Sequence, residues 1–266
     1  MSASSFEVVV PARLRRERMR SVINDRDFVR VADLSLMFGI SEVTVRSDLD
    51  ELAHRGQVRR IRGGAVPRAE SAAERSFEES AGANAAEKDA IGRAAAALVA
   101  AGDTILLDVG TTTNAVARAL VDRADLSDVV VLTSGLNIAL TLEPAIPRFT
   151  VVVTGGTLRP LQHSLVDPLA GVVLDRINVG TLFLGCNGVD PEGGVTNINL
   201  PEADVKRRML AAARRRVVTA DGSKVGDVAL AHLCDVAAVD LLITSASADP
   251  QILQRLQEQG LEILVT

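Results

Sequence analysis

Several short turns in the second half of this 266-residue chain hold residue types that bind anions. The run "ILLDVGTTTNAVARAL" sets Gly110, Thr111, Thr112 and Thr113 between an apolar stretch and a helical one. Backbone N–H groups at a helix start, with hydroxyls beside them, form an anion site. Strand–glycine–helix turns also serve as plain connectors, and threonine is a common cap. "VLTSGLNIA" puts Ser134, Gly135 and Asn137 after a second apolar run, and "VVTGGTLRP" puts Gly155 and Gly156 after a third. Ligands of parallel sheets bind outside the carboxyl ends of the strands, so these three turns are expected to gather at one edge. Further along, Glu202 and Lys206 stand four apart on a predicted helix, and Asp221 and Lys224 bracket a turn. Both also admit a plain structural role, as an i,i+4 ion pair worth about 0.2–0.5 kcal/mol and as an ordinary Asp-Gly turn.

A different chemistry stands near the N-terminus, in "ISEVTVRSDLDEL" and the "AHRGQVRRIRGGAVP" that follows. With about 100° per residue, Val45, Leu49 and Leu52 form one apolar stripe, and Val43, Thr44, Arg46 and Ser47 face outward with Asp50 and Glu51. Ser41 suits the N-cap and is also an expected DNA contact, and Glu42 suits the positive end of the helix dipole. Early outward residues are those that a recognition helix presents to the major groove. Arg46 has the fork for guanine, Thr44 and Ser47 the hydroxyls for bases or phosphate, and Val43 the methyls for thymine. In "QVRRIRGG", Arg59, Arg60 and Arg62 sit on a β-like run turned by two glycines, as a wing lying over a phosphate backbone would. A solvated hairpin beside a helical bundle is the plain alternative. The order of helix pair, capped third helix and arginine wing favours DNA.

The elements that must position these residues fall into two groups. Residues 1–10 carry no anchoring pattern and are expected to be loose. Within 11–67, Met19, Val22 and Ile23 recur at helical spacing, Val31, Leu34 and Phe38 repeat the pattern, and Gly39 suits a helix stop. This predicts an all-α, winged helix-turn-helix domain. Residues 68–83, rich in Ala, Ser and Glu and nearly free of large apolar residues apart from Phe77, are expected to be a linker, either extended or partly helical. From 84 to 266, apolar runs alternate with helical ones: "TILLDV", "DVVVLT", "FTVVVTG", "VGTLFLG", "RRVVTA", "VDLLITS" and "LEILVT" are the predicted strands. That alternation predicts an α/β domain with a mainly parallel sheet.

Charge divides the same way. Residues 11–68 hold 13 Arg against 8 Asp or Glu, a balance of +5, and the rest holds 16 basic against 26 acidic residues, a balance of -10. A basic module on an acidic body fits a nucleic-acid partner for the first part alone. Aromatics are only 2%, without Trp or Tyr, which argues against stacking on single strands. Cys186 and Cys234 are too few for a disulfide framework or thiolate metal site. No catalytic residue, metal or cofactor is expected. No apolar run reaches the roughly 20 residues of a membrane span, and the first residues have the wrong order for a secretory signal, so the expected location is the cytoplasm.

Residues 13–67, through "RVADLSLMFGISEVTVRSDLDELAHRGQVRRIRGGAVP", resemble the winged helix-turn-helix of the DeoR family of bacterial transcriptional repressors. The family commonly has two successive basic residues where this chain has Arg46-Ser47. The remainder resembles the sensor domain of that family, which is similar in turn to the sugar-phosphate isomerase and deaminase fold. The resemblance implies a phosphorylated sugar held by Gly110–Thr113. Ser134, Gly135, Asn137, Gly155, Gly156, Asn187, Gly188, Asp221 and Lys224 would stand around the sugar, and Glu202 and Lys206 complete the expected effector set. Cys186 and Asn187 depart from the family, which commonly has an acid at position 187. The alternative is an isomerase with a DNA-binding appendage. That chemistry needs a carboxylate base and an electrophile, yet Asn187 stands where the isomerase pattern has an acid, and no lysine lies between Arg176 and Lys206. The expectation is therefore a repressor of carbohydrate utilisation without turnover. It would bind operator DNA as a homodimer or homotetramer, with no membrane contact, and be released by a sugar phosphate.

Overall fold

The computed structural model describes residues 12–24, 28–54, 58–61, 63–67 and 74–266. The segment 1–10, Arg62 and residues 68–73 lie outside the described residues. Two compact units divide the chain, Met1–Ala73 and Glu74–Thr266.

The first unit contains α1 (Ala12–Asn24), β1 (Val29–Arg30), α2 (Val31–Phe38), α3 (Glu42–His54), β2 (Val58–Ile61) and β3 (Gly64–Pro67). Met19, Ile23, Val31, Leu34, Val45, Leu49 and Leu52 are buried together, with Val22 and Phe38 packed against them. Gly39, in the left-handed region at φ 62°, ends α2. The backbone N–H of Thr44 donates to Ser41 Oγ at 3.2 Å, capping α3. The three strands form an antiparallel sheet in the order β1-β3-β2. Arg15 Nε donates to the buried Asp48 at 2.6 Å, so α1 grips α3 by charge as well as by apolar packing.

The second unit opens with α4 (Phe77–Ala81), α5 (Ala85–Ala96), β4 (Thr104–Leu107), α6 (Thr111–Val121), β5 (Val129–Thr133), α7 (Leu136–Leu142) and β6 (Phe149–Val153). A small hairpin, β7 (Thr157–Arg159) and β8 (Ser164–Val166), precedes α8 (Leu169–Leu174) and β9 (Val179–Leu184). Then come β10 (Gly188–Asp190), β11 (Gly194–Asn197), α9 (Leu200–Ala212), β12 (Ala213–Thr219), β13 (Ala231–Cys234), β14 (Leu241–Thr244), α10 (Pro250–Glu258) and β15 (Glu262–Val265).

All seven predicted strands enter one sheet, in the order β15-β14-β12-β9-β4-β5-β6, with every pair parallel. Successive strand residues alternate between its faces. Ile105, Leu107 and Phe183 pack with Ile91, Val116, Leu120 and Ile138 of α5, α6 and α7. Leu106, Leu182 and Leu184 pack with Ala170, Leu174, Val205, Met209 and Leu256 of α8, α9 and α10. Because both faces are covered, the strands are continuously apolar in sequence. The chain runs outward from β4 through β5 to β6, then returns to the other side of β4 as β9. The crevice between β4 and β9 is therefore the topological switch point.

The expected linker 68–83 needs correction over its second half, because Glu74 and the residues after it belong to the second unit. Ser76 and Glu79 form a reciprocal capping box on α4. Lys88 Nζ donates to the carbonyls of Ser80 and Ala83, both at 2.8 Å. The Phe77 ring meets His163 edge-on at 5.7 Å. The Ser76-x-x-Glu79 capping signature was present in the sequence, whereas the contact to His163 joins residues far apart in the chain.

Candidate functional site

On α3 the outward face is as the spacing predicted. Val43 is 73% exposed, Arg46 and Ser47 are exposed, and Thr44 is half-buried. Two of these groups already have partners. Ser41 Oγ and Thr44 Oγ1 lie 2.9 Å apart, so both hydroxyls serve the cap. Arg46 Nη2 donates to Glu42 Oε2 at 2.7 Å, one helical turn earlier. Arg60 on β2 pairs with Asp50 of α3 at 3.0 Å, and its Nη1 is buried without a hydrogen-bond partner. Arg59 lies on β2, and Arg62 falls outside the described residues.

At the other unit's carboxyl edge, the turns after β4, β5, β6, β9 and β12 carry most of the expected effector residues, while Gly188 opens β10 and Glu202 and Lys206 lie on α9. Gly110 occupies φ 121°, a conformation that L side chains rarely adopt, and starts α6 with no side-chain cap. The N–H groups of its first turn have no intrahelical partner, as at any helix start, and glycine offers no side chain to cap them. Thr111 and Thr112 are half-buried, whereas Thr113 is fully buried and donates its hydroxyl to Gly110 O at 3.0 Å. Thr113 thus shapes the turn from inside. A Cβ on Gly185 would stand 3.1 Å from Val109 O, and one on Gly135 would stand 3.2 Å from Val109 Cγ1, so the β5 and β9 turns flank the β4 turn.

Other expected residues are occupied by the fold. Ser134 is buried, and its carbonyl accepts from Leu165 N at 2.7 Å. Asn137 Oδ1 accepts from Ile138 N at 3.0 Å, while its Nδ2 is buried with no partner. A Cβ on Gly156 would meet Val166 O at 2.2 Å, and one on Gly188 would meet Asp227 O at 2.1 Å, so both are glycine for backbone packing. Gly155, at φ 72°, has open space around its missing Cβ. Asn187 Oδ1 accepts from Ile198 N at 2.9 Å. Asp221 Oδ1 accepts from Ser223 N at 3.1 Å and from Asn84 Nδ2 at 3.0 Å, and Lys224 closes the same short turn.

Glu202 and Lys206 have separate partners rather than each other. Lys206 Nζ donates to Asp108 Oδ2 and, at 3.0 Å, to Gly185 O. Its side chain and that of Asp108 are 4% and 1% exposed. Burial pushes the Asp108 carboxyl up and Lys206 opposes that shift. Glu202 accepts from Arg159 Nη1 and from Ser164 Oγ. Arg159 reaches the other way, with Nη2 donating to Glu74 Oε2 at 2.5 Å and Nη1 to Glu74 Oε1 at 3.3 Å. Burial pushes the Cys186 thiol up to about 12, which keeps it neutral and unreactive.

Comparison with known proteins fits both halves of this arrangement. Residues 15–70 match the DeoR-like helix-turn-helix domain, and residues 83–246 match the DeoR C terminal sensor domain. The chain belongs to the DeoR family. It is 32% identical over 265 residues to the putative aga operon transcriptional repressor of Escherichia coli O157:H7, covering 99% of this chain and 97% of that protein. It is 26% identical over 242 residues to the glycerol-3-phosphate regulon repressor of Escherichia coli K12, covering 91% of this chain and 94% of that one. Among solved structures it is similar to ribose 5-phosphate isomerase A from Methanocaldococcus jannaschii, at 20% identity and a TM-score of 0.40, covering 53% of this chain and 55% of that one.

This DeoR-family chain is thus a DNA-binding transcriptional regulator with a sensor domain. Among the described residues no helix is long and apolar enough to cross a membrane. Sequence reasoning did not single out Asp108, Arg159, Ser164 or Glu74 at the edge of the sensor domain. Asp108 had a visible signal, an acid ending an apolar strand. The others become neighbours only through the β7–β8 hairpin and α9.

Proposed function

We propose that this regulator represses a carbohydrate-utilisation operon in the cytoplasm and leaves its operator when a phosphorylated sugar binds the sensor domain. One observation carries the effector site: the uncapped start of α6 at Gly110 lies at the switch point, with Thr111 and Thr112 beside it. Relatives named for the aga operon and the glycerol-3-phosphate regulon support a carbohydrate role. On DNA, Val43, Arg46 and Ser47 read base edges while Arg59, Arg60 and Arg62 hold the backbone. Repeated half-sites call for at least a dimer, built on the larger second unit. The ligand acts by binding the DNA-incompetent arrangement better than the competent one.

Binding without turnover is supported by how the candidate acids and bases are committed. Asp108 and Lys206 hold each other, Glu202 is held by Arg159 and Ser164, and Asn187 faces Ile198 N. Asp190 Oδ1 accepts from the N–H groups of Glu192 and Gly193. A general base must come within hydrogen-bond reach of the substrate proton, and these groups are turned to partners within the chain. Steady isomerase turnover by the purified chain would overturn this part.

The test is a thermal-shift screen of sugar phosphates against the same sugars without phosphate, because a ligand selective for the native state raises stability. Only phosphorylated members should raise the melting temperature. Thr111→Val with Thr112→Val should abolish that rise and spare DNA binding; an undiminished response removes the turn from the site.

A further inference from the structure

A line of alternating charges leads away from the switch point. Asp108 is bound to Lys206, Lys206 lies one helical turn after Glu202, Glu202 is bound to Arg159, and Arg159 is bound to Glu74. These are three acids and two bases. Asp108 with Lys206 and Glu202 with Arg159 are neutral pairs, so Glu74 is the surplus charge. It holds Arg159 through both carboxylate oxygens, the geometry that a guanidinium offers to any planar anion. Arg159 and Glu74 are only 17% and 13% exposed, so their pairing is more than a surface contact.

Glu74 is also the first residue of the second unit, where the chain from the DNA-binding unit enters. The segment it begins is strapped over the same sheet edge. Gln162 Nε2 donates to Arg75 O at 2.6 Å, Glu78 bonds His163 at 2.7 Å, and Asn84 donates to Asp221. Glu87 accepts from Ser245 and Ser247 on the loop after β14.

Resting on the effector site proposed above, we infer that Arg159 is a second anion-recognition residue and that the effector carries two acidic groups. One is the phosphate at Gly110–Thr112; the other is a phosphate or carboxylate that displaces Glu74 from Arg159. A neutral hydroxyl does not compete with a carboxylate held at both oxygens by a guanidinium, whereas a second anion replaces it charge for charge. Exchange at this fork frees the entry point of the strap. Ligand occupancy is thereby coupled to the segment that leads to the DNA-binding unit.

The experiment uses the full chain. Fructose 1,6-bisphosphate and 6-phosphogluconate are titrated against fructose 6-phosphate and glucose 6-phosphate, by calorimetry and by hydrogen exchange of residues 74–81. At least one doubly acidic ligand should bind several-fold tighter than its singly acidic counterpart, less than the roughly tenfold of a newly gained charged hydrogen bond because the Glu74 contact is given up in exchange, and should speed exchange in 74–81. Glu74→Gln, which removes the internal competitor, should tighten the doubly acidic ligand several-fold and leave the singly acidic one unchanged. Hydrogen exchange on the unmutated chain stands even if that variant folds poorly. Equal binding of both classes, or binding with unchanged exchange in 74–81, overturns this inference while leaving the sugar-phosphate sensor intact. If none of the four ligands binds, both fall.

Discussion

Charged side chains are used in opposite ways on the recognition helix of the first unit and at the switch point of the second. On the DNA-binding unit, Arg46 is held by Glu42 on an open helix face, with both side chains about half exposed. On the sensor unit, Asp108 and Lys206 are almost wholly buried. An exposed i,i+4 pair contributes about 0.3–0.5 kcal/mol, so DNA can take Arg46 from Glu42 at little cost. A buried pair is different, because losing one partner strands the other charge away from water. The recognition face of the first unit keeps its charges ready to change partners, while the largely buried Arg15–Asp48 pair holds its helices. In the proposed reading the second unit buries one pair beneath the effector turn and leaves exchange to Arg159.

The largest test of that contrast is Lys206→Met. Asp108 would be left buried without its cation, and stability in urea should fall by about 3–5 kcal/mol. The loss should depend on pH with a definite sign. Burial already raises the Asp108 carboxyl, and removal of Lys206 raises it further. A raised folded-state value favours folding at low pH, so the deficit should be smallest below about pH 4 and grow as pH rises through the carboxylate range. Asp108→Leu combined with Lys206→Met should recover most of the stability. A small, pH-independent effect of Lys206→Met would erase the contrast.

A middle-sized effect is expected on the DNA-binding unit. Arg46→Ala should leave stability within about 0.5 kcal/mol but cost about 1–3 kcal/mol of operator discrimination. Arg60→Ala should weaken binding to all DNA and lower the salt slope by about 1. Equal effects of both variants on every sequence, in fluorescence anisotropy across salt concentrations, would remove the division between base and backbone contacts. The smallest effect should come from Glu42→Ala, which frees Arg46. Stability should change by no more than about 0.5 kcal/mol, with DNA affinity unchanged or tighter; a loss of several-fold in affinity would show that the Arg46–Glu42 pair orients the arginine on DNA.

Legibility differed between the units for a physical reason. A helix-turn-helix is built from local periodicity, caps and turns, so Val45, Leu49, Leu52, Gly39 and the Ser41 cap could be placed from spacing. Asp48 escaped because its partner Arg15 lies 33 residues away. In the sensor domain the seven strands of the parallel sheet were legible as continuous apolar runs, whereas the short strands β7, β8, β10, β11 and β13 were not. The expected site residues mixed two populations that look alike in sequence. Gly110 leaves the start of α6 uncapped, whereas Gly156, Gly188 and Thr113 serve the backbone around it.

The sequence by itself determined the two-part organisation, the helices of the first unit, the seven strands of the second unit's parallel sheet and the membership of the DeoR family. The organisation and the elements follow from apolar period and turn chemistry, which act over a few residues; the family follows from the resemblance of the motifs. Only the tertiary structure decided which charges pair. Lys206 meets Asp108 across 98 positions, and Arg159 meets Glu74 across 85. Such pairs form where the parallel sheet and its crossovers bring strand ends to one edge. Their energy depends on burial, which no short stretch of sequence specifies.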